Sequence, residues 1–104
     1  MNTKGEILSK IKAYVKQVDA YAEVILFGSW ARNEEREDSD WDILILLTSP
    51  VNLKREQKFR HKLFEFELEY GVSFSTFVYS KKEWKNKHYV TPLYQNIYQD
   101  GIKL

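Results

Sequence analysis

The sequence predicts a small α/β (α+β) fold in which helices pack on a mixed sheet of three strands or slightly more. Short, β-branched apolar runs alternate along the chain with longer helical patterns, and one of these runs is apolar on both faces. The 104 residues, of which 43% are hydrophobic and 15% aromatic, suffice for one modest core. We therefore expect residues 1–104 to form a single domain, without a linker or an internal repeat.

Caps and apolar spacing predict the elements of the first half of the chain. Thr3 and Glu6 fit a capping box that begins an amphipathic helix over 4–19. The run AEVILF at 22–27 is short and β-branched, which is typical of a buried strand. A short helix over 29–33 follows it directly. The run WDILILL at 41–47 is apolar in both phases of a period-2 pattern, so it predicts a central strand covered on both sides.

Caps and stop signals also predict the elements of the second half of the chain. Its predicted elements are a helix over 52–70 that ends at Gly71, a strand over 72–79, a short helix from Ser80 through Trp84 and a last helix from Thr91 to near Gly101. Ser80 with Glu83 forms a second capping box, and Thr91-Pro92 is a cap followed by a first-turn proline.

Charge and composition exclude several classes of protein. Sixteen Lys and Arg against fifteen Asp and Glu give a net charge of +1, which argues against binding to nucleic acid or to a membrane surface through bulk charge. The chain has no cysteine, so disulfide scaffolds and thiolate metal sites are excluded. No apolar run is long enough to span a bilayer, and the N-terminus lacks the apolar core of a signal peptide. We expect a cytoplasmic protein.

The turn after the first predicted strand has the features of a phosphate site. Gly28 and Ser29 lie where a strand passes into a helix, a place where glycine lets the backbone approach a ligand and free N–H groups face outward. Ser29 adds a hydroxyl, and Arg32, one turn later, is expected to reach the same phosphate. Surface ion pairs with the acidic residues of 34–38 are an equal alternative for Arg32.

Two aspartates at the start of the central strand indicate a metal site. Asp40 and Asp42 are two residues apart, so their side chains point to one face, with Cβ atoms roughly 6 to 7 Å apart. Their mutual repulsion raises the pKa of one carboxyl unless a hard divalent cation uses both as ligands. Mg²⁺ suits such a pair, because it completes its shell with waters and substrate phosphates. Alone, a Gly-Ser turn or an Asp-x-Asp pair is usually structural; together they predict one site with two halves.

The combination of G28-S29-x-A31-R32 with S39-D40-x-D42 at the head of an apolar strand resembles the signature of the nucleotidyltransferase superfamily related to DNA polymerase β. In size the chain is most similar to the minimal nucleotidyltransferases, or MNT proteins, which are usually encoded beside a HEPN partner in toxin–antitoxin pairs. Asn33 stands where glycine is common in this family. Because asparagine tolerates the left-handed conformation better than most residues, the turn can survive.

The resemblance implies a chemistry. It assigns phosphate binding to Gly28 and Ser29, and Mg²⁺ binding and catalysis to Asp40 and Asp42. The expected reaction is in-line attack on the α-phosphate of a nucleoside triphosphate. Characterised MNT antitoxins adenylylate a tyrosine of their toxin partner, so ATP is the expected donor and a HEPN-type protein the expected partner.

One departure from the family pattern leaves a second hypothesis open. Active members generally carry a third carboxylate on the next core strand, where this chain has Ser73 and Ser75. Glu69 lies just before that strand and is a doubtful substitute. The alternatives are therefore an Mg²⁺-dependent nucleotidyltransferase and a weak or inactive relative that neutralises its partner by occlusion.

Other charged and aromatic residues have ordinary interpretations. The basic run at 54–62 precedes the acidic residues of 65–69 on one helix, an order that opposes the helix dipole. It marks either a partner surface or a solvated face with ion pairs such as His61 or Lys62 with Glu65. His61 and His88 have no metal-ligand pattern, and we expect surface or half-buried positions for both. A last set of aromatic residues is expected to pack the core of the terminal helices, with an interface as the alternative: Trp84, Tyr89, Tyr94 and Tyr98.

Overall fold

A four-stranded mixed sheet forms the centre of the protein. The computed structural model describes residues 3–104. The strands are β1 (Glu23–Phe27), β2 (Trp41–Leu47), β3 (Phe74–Ser80) and β4 (Ile102–Lys103). Their order across the sheet is β3-β2-β1-β4, with β1 antiparallel to both neighbours and β2 parallel to β3. This arrangement confirms the predicted α/β fold with a small mixed sheet.

Five helices pack on this sheet. They are α1 (Lys4–Val18), α2 (Gly28–Ala31), α3 (Leu53–Tyr70), α4 (Lys81–Lys87) and α5 (Pro92–Asp100). Three helices begin at the predicted caps, because the side chains of Thr3, Ser80 and Thr91 accept hydrogen bonds from backbone N–H groups in the first turn. Gly71 ends α3 in the left-handed conformation, at φ 67°. The short helix predicted through Trp84 continues for three further residues, to Lys87.

The sheet separates two apolar layers. On one face, α1 and α3 cover a core that includes Ile11, Ile43 and Phe66, each at 0% exposure. On the other face, Trp84 of α4 and Ile97 of α5 pack against Leu44 and Leu46. The central strand β2 supplies both layers, as its apolar pattern predicted, and every residue from Ile43 to Leu47 is buried.

The strand β4 was not predicted. It has only two residues and pairs with Ile25 and Leu26 of β1, and the backbone N–H of Leu104 extends the contact to Val24 O at 2.9 Å. A pair of residues shows no recognisable period, so pairing with β1 and not the local sequence defines this strand.

No helix within residues 3–104 combines the length and the apolar character that a bilayer crossing requires.

Candidate functional site

Three strand ends meet at one end of the sheet and bring the predicted site residues together. The last residue of β1, Phe27, pairs with Asp42 near the start of β2. Gly28 follows Phe27 immediately. Because β2 and β3 are parallel, the start of β3 lies at the same end, and Ser75 is the register partner of Asp42. The antiparallel and parallel pairings therefore place Gly28, Asp42 and Ser75 side by side.

Gly28 closely approaches Asp42. Its φ of +71° lies in the left-handed region, which L side chains rarely adopt. A Cβ at this position would overlap the Asp42 carboxylate oxygen and lie 2.9 Å from its Cγ. Two independent constraints therefore require glycine here: the backbone conformation and the carboxylate that lies against the Cα atom.

The environment of Asp42 disfavours its charged form. Burial raises the pKa of the Asp42 carboxyl, the neighbouring Asp40 raises it further, and the Arg32 guanidinium opposes both effects. The paired carboxylates thus repel one another as the sequence predicted. A half-buried anion with an acidic neighbour is an arrangement that a bound cation would stabilise.

Arg32 takes part in surface ion pairs. It follows α2 directly, and its Nε lies 3.1 Å from Glu34 Oε2 while another guanidinium nitrogen lies 3.9 Å from Asp100 Oδ2. Its charge nonetheless acts on Asp42. The ion pair with Glu34 is the surface alternative given for Arg32, whereas contact with a nucleotide stays a prediction. Asp100, at the end of α5, is a neighbour that the sequence did not indicate.

Two tryptophans hold the loop that carries Asp40. The rings of Trp30 and Trp41 stack with centroids 3.8 Å apart and an interplanar angle of 8°. The indole N–H of Trp30 also donates to Ser39 O at 3.1 Å, one residue before Asp40. Sequence reasoning missed this pair, although one tryptophan on each side of the motif was an available signal.

Lys4 ties the same loop to the first helix. Its Nζ donates to the backbone oxygen of Trp30 at 2.6 Å and to Asn33 Oδ1 at 2.7 Å. Asn33 adopts φ 57°, the left-handed conformation that the sequence predicted asparagine would tolerate. A cavity of about 510 Å³ lies beside this loop, with Ser39 and Ser73 among its lining residues.

The register partner of Asp42 on β3 is a neutral side chain, Ser75. Register-paired residues of parallel strands point to the same face, so the Ser75 hydroxyl shares the face of Asp42. Glu69 is no substitute, because it accepts a hydrogen bond from Tyr14 at 2.6 Å, in the layer on the opposite face of the sheet. Within residues 3–104, no three His, Cys, Asp or Glu side chains come together to hold a metal ion.

Part of the basic run at 54–62 has local ion-pair partners. Lys62 lies 3.6 Å from Glu65, as proposed for a solvated face.

Among the aromatic residues expected in the core, Trp84 packs there, and His88 is half-buried beside it. Tyr89 and Tyr98, however, are 53% and 80% exposed, so the expectation of core packing was wrong for both.

Sequence comparisons relate the chain to known proteins. The chain matches the sequence model of the nucleotidyltransferase domain over residues 8–103. A relative from Methanocaldococcus jannaschii, "Putative protein adenylyltransferase MJ0141", is 37% identical over 81 residues, which cover 73% of this chain and 82% of that protein.

Two solved structures share the fold. One is a toxin–antitoxin with AMP-PNP, with a TM-score of 0.66 and 16% identity over 97% of this chain and 72% of that chain. The other, described as a "putative nucleotidyltransferase", has a TM-score of 0.65 and 22% identity over 93% of this chain and 96% of that chain.

Proposed function

The chain belongs to the nucleotidyltransferase domain family, and on that premise we propose that it transfers AMP from ATP to a hydroxyl group of a protein partner. The contact between Gly28 and the Asp42 carboxylate carries this proposal. It joins the turn proposed for phosphate binding to the carboxylates proposed for metal binding, so a triphosphate at the turn would lie against the metal ligands.

In this proposal each site residue has a role that its position supports. Gly28 and Ser29 bind the triphosphate through the turn between β1 and α2, and Arg32 adds positive charge beside Asp42. Asp40 and Asp42 hold Mg²⁺, which fits them because burial, and then the acidic neighbour, raise the pKa of Asp42, and a cation would offset both effects. When bound, the metal neutralises charge that develops on the phosphates.

The reaction is a single displacement. The acceptor oxygen forms a bond to the α-phosphorus, the bond from that phosphorus to the bridging oxygen breaks, and pyrophosphate leaves. The acceptor proton passes to water or to a carboxylate. The chain's own part is to bind and orient the triphosphate and to keep two carboxylates at the start of β2.

The partner proposed is a HEPN-type toxin, with this chain as its cytoplasmic antitoxin and residues 1–104 as one minimal domain. The toxin–antitoxin neighbour supports the antitoxin role, and the name of the archaeal relative supports a protein as the acceptor.

Ser75 favours a second candidate function. A neutral hydroxyl stands beside Asp42 where a third carboxylate would complete the metal site. In that case the chain is catalytically weak or inactive and neutralises its partner by covering it.

Calorimetric titration of ATP, with and without Mg²⁺, tests the proposal. We expect saturable binding that requires Mg²⁺, is lost in Asp42→Asn and is retained in Asp38→Asn. The Asp38 variant is a matched control, because it removes the same charge from the exposed loop before the motif. Absence of binding in the wild-type protein would refute the transferase and favour the occluding antitoxin.

A further inference from the structure

Among residues 3–104, no strand pairs with the outer edge of β3, because β3 is the first strand in the sheet order. The backbone N–H of Trp41 donates to Ser73 O at 2.8 Å, so the peptide groups of Ser73 and of every second residue after it turn toward β2. The peptide groups of Phe74, Thr76 and Val78 therefore turn outward. This free edge belongs to a strand of seven residues, long enough to pair with another strand.

Side chains of α3 cap two of these outward groups. Glu67 Oε2 accepts a hydrogen bond from the Phe74 N–H at 2.8 Å, and a guanidinium nitrogen of Arg60 donates to Thr76 O at 3.2 Å. Arg60 is 48% exposed along its side chain. Both caps are long side chains that can rotate away, so they protect the edge without closing it permanently.

A groove of about 370 Å³ runs between α3 and this edge. A second stripe of α3, separate from the stripe that packs the core, faces it with Arg60, Phe64 and Glu67. Phe64 is 57% exposed, and Leu68, one turn further along the helix, is 73% exposed. An apolar pair beside an unpaired strand edge is characteristic of an interaction surface.

The charge pattern of α3 is complementary to that of a second copy of α3 that runs antiparallel to it. The basic residues lie between Lys54 and Lys62, a stretch that also contains Glu56, and the other acidic residues lie between Glu65 and Glu69, an order that the helix dipole disfavours within one chain. In an antiparallel pair of such helices, each basic half meets the acidic half of the other. The arrangement that is unfavourable in the monomer therefore becomes favourable between two copies.

We propose that the β3 edge and the second stripe of α3 form a twofold-symmetric interface with a second copy of this chain. The twofold axis passes near Thr76, the middle of the three outward residues, so that Phe74 of each copy lies opposite Val78 of the other. The two sheets join into one continuous sheet, and the two α3 helices pack side by side through Phe64 and Leu68.

In the proposed dimer, the side chains of Arg60 and Glu67 leave the strand edge and pair across the interface. Arg60 lies over Thr76 and Glu67 over Phe74, so the Glu67 of the second copy comes over Val78. Two strand residues, roughly 6 to 7 Å, separate that position from Thr76, a distance that the long side chains can span. Each Arg60, which already pairs with Glu56 of its own helix at 2.9 Å, therefore adds an ion pair with Glu67 across the interface, while the freed backbone groups pair with one another.

Sedimentation velocity over a range of protein concentrations, at low and high salt, tests the interface. We expect a monomer–dimer equilibrium that weakens as salt rises. Arg60→Glu and Glu67→Arg should each raise the dimer Kd about tenfold, since a symmetric dimer contains the ion pair twice. The double variant should restore the Kd, because the pair is then reversed but intact between copies. Lys85→Glu, an equal charge change on α4, should leave the Kd unchanged.

A charge-independent variant completes the test. Phe64→Ser should raise the Kd with an unchanged circular dichroism spectrum, because the side chain is largely exposed in one copy. A wild-type protein that stays monomeric at every concentration would overturn the proposal and leave the edge to a different protein. A double variant no better than the single ones would overturn the antiparallel arrangement.

Discussion

Two glycines with the same backbone conformation separate the requirement for left-handed φ from the requirement for space. Gly28 and Gly71 have φ values of +71° and +67°. Within the described part of the chain, a Cβ on Gly71 would meet no atom within 4 Å apart from its chain neighbours, whereas one on Gly28 would overlap the Asp42 carboxylate. Alanine at each position therefore imposes the same backbone strain, but only at position 28 does it displace a proposed metal ligand.

The expected stability costs follow from these contacts. The left-handed conformation costs an L residue about 1–2 kcal/mol, which is the whole effect expected of Gly71→Ala. Gly28→Ala adds overpacking of about 1–3 kcal/mol. We therefore expect losses of about 1–2 and about 2–5 kcal/mol, and each kcal/mol lowers the Tm of a domain of this size by roughly 4–8 °C.

Urea unfolding measures the loss of stability of each variant. Calorimetric titration with ATP in the presence of Mg²⁺ measures nucleotide binding on the same samples. Gly71→Ala should keep nucleotide binding, and Gly28→Ala should lose it even at temperatures where the variant is fully folded. Equal losses of stability in the two variants, or intact binding in Gly28→Ala, would refute the reasoning that glycine is required at position 28 because the Asp42 carboxylate lies against it.

Three further predictions concern titrating or neutral side chains near the sheet. Because burial and an acidic neighbour raise the pKa of Asp42 in the folded state, its charge destabilises the fold as pH rises from the ordinary aspartate pKa through the raised value. Asp42→Asn should therefore increase the free energy of unfolding at pH 7, and urea titrations should show the gain fading at lower pH; a loss of stability at pH 7 would contradict this. Ser75→Asp should raise Mg²⁺ affinity about tenfold in calorimetry, whereas Thr76→Asp, on the opposite face, should not; equal effects would exclude Ser75 as the third ligand position. The hydrogen bond to Glu69 raises the pKa of Tyr14 to about 12, so Glu69→Gln should lower this pKa in an ultraviolet titration, and an unchanged value would dismiss the bond. For the same reason, the stability that Tyr14 contributes is present below pH 10 and is lost as pH rises through about 12.

Local patterns predicted the parts of the fold that local physics determines. The strand β2 was predicted at its observed bounds, because an apolar run in both phases fits only a strand covered on both faces. The caps at Thr3, Ser80 and Thr91 followed from side chains that satisfy free N–H groups in the first turn. The contacts of the caps lie within a few residues of chain, and the pattern of β2 can be recognised within seven consecutive residues.

The rest depends on pairing between distant segments. The sequence named both Ser73 and Ser75 for the missing carboxylate, and only the parallel register identifies Ser75 as the neighbour of Asp42. The contact of Asp100 with Arg32 also joins residues far apart in the chain. Gly28 was predicted to let the backbone approach a ligand. Within the protein, the group that lies against Gly28 is the carboxylate of Asp42.

The stack of Trp30 on Trp41 gives the protein an optical reporter. Two indole rings with centroids 3.8 Å apart have coupled electronic transitions, so their near-ultraviolet circular dichroism depends on how the rings are oriented to one another. The third tryptophan, Trp84, packs on the opposite face of the sheet and does not belong to this pair. Because the stacked rings bracket the loop that ends at Asp40, this signal would follow the order of the loop without any attached label.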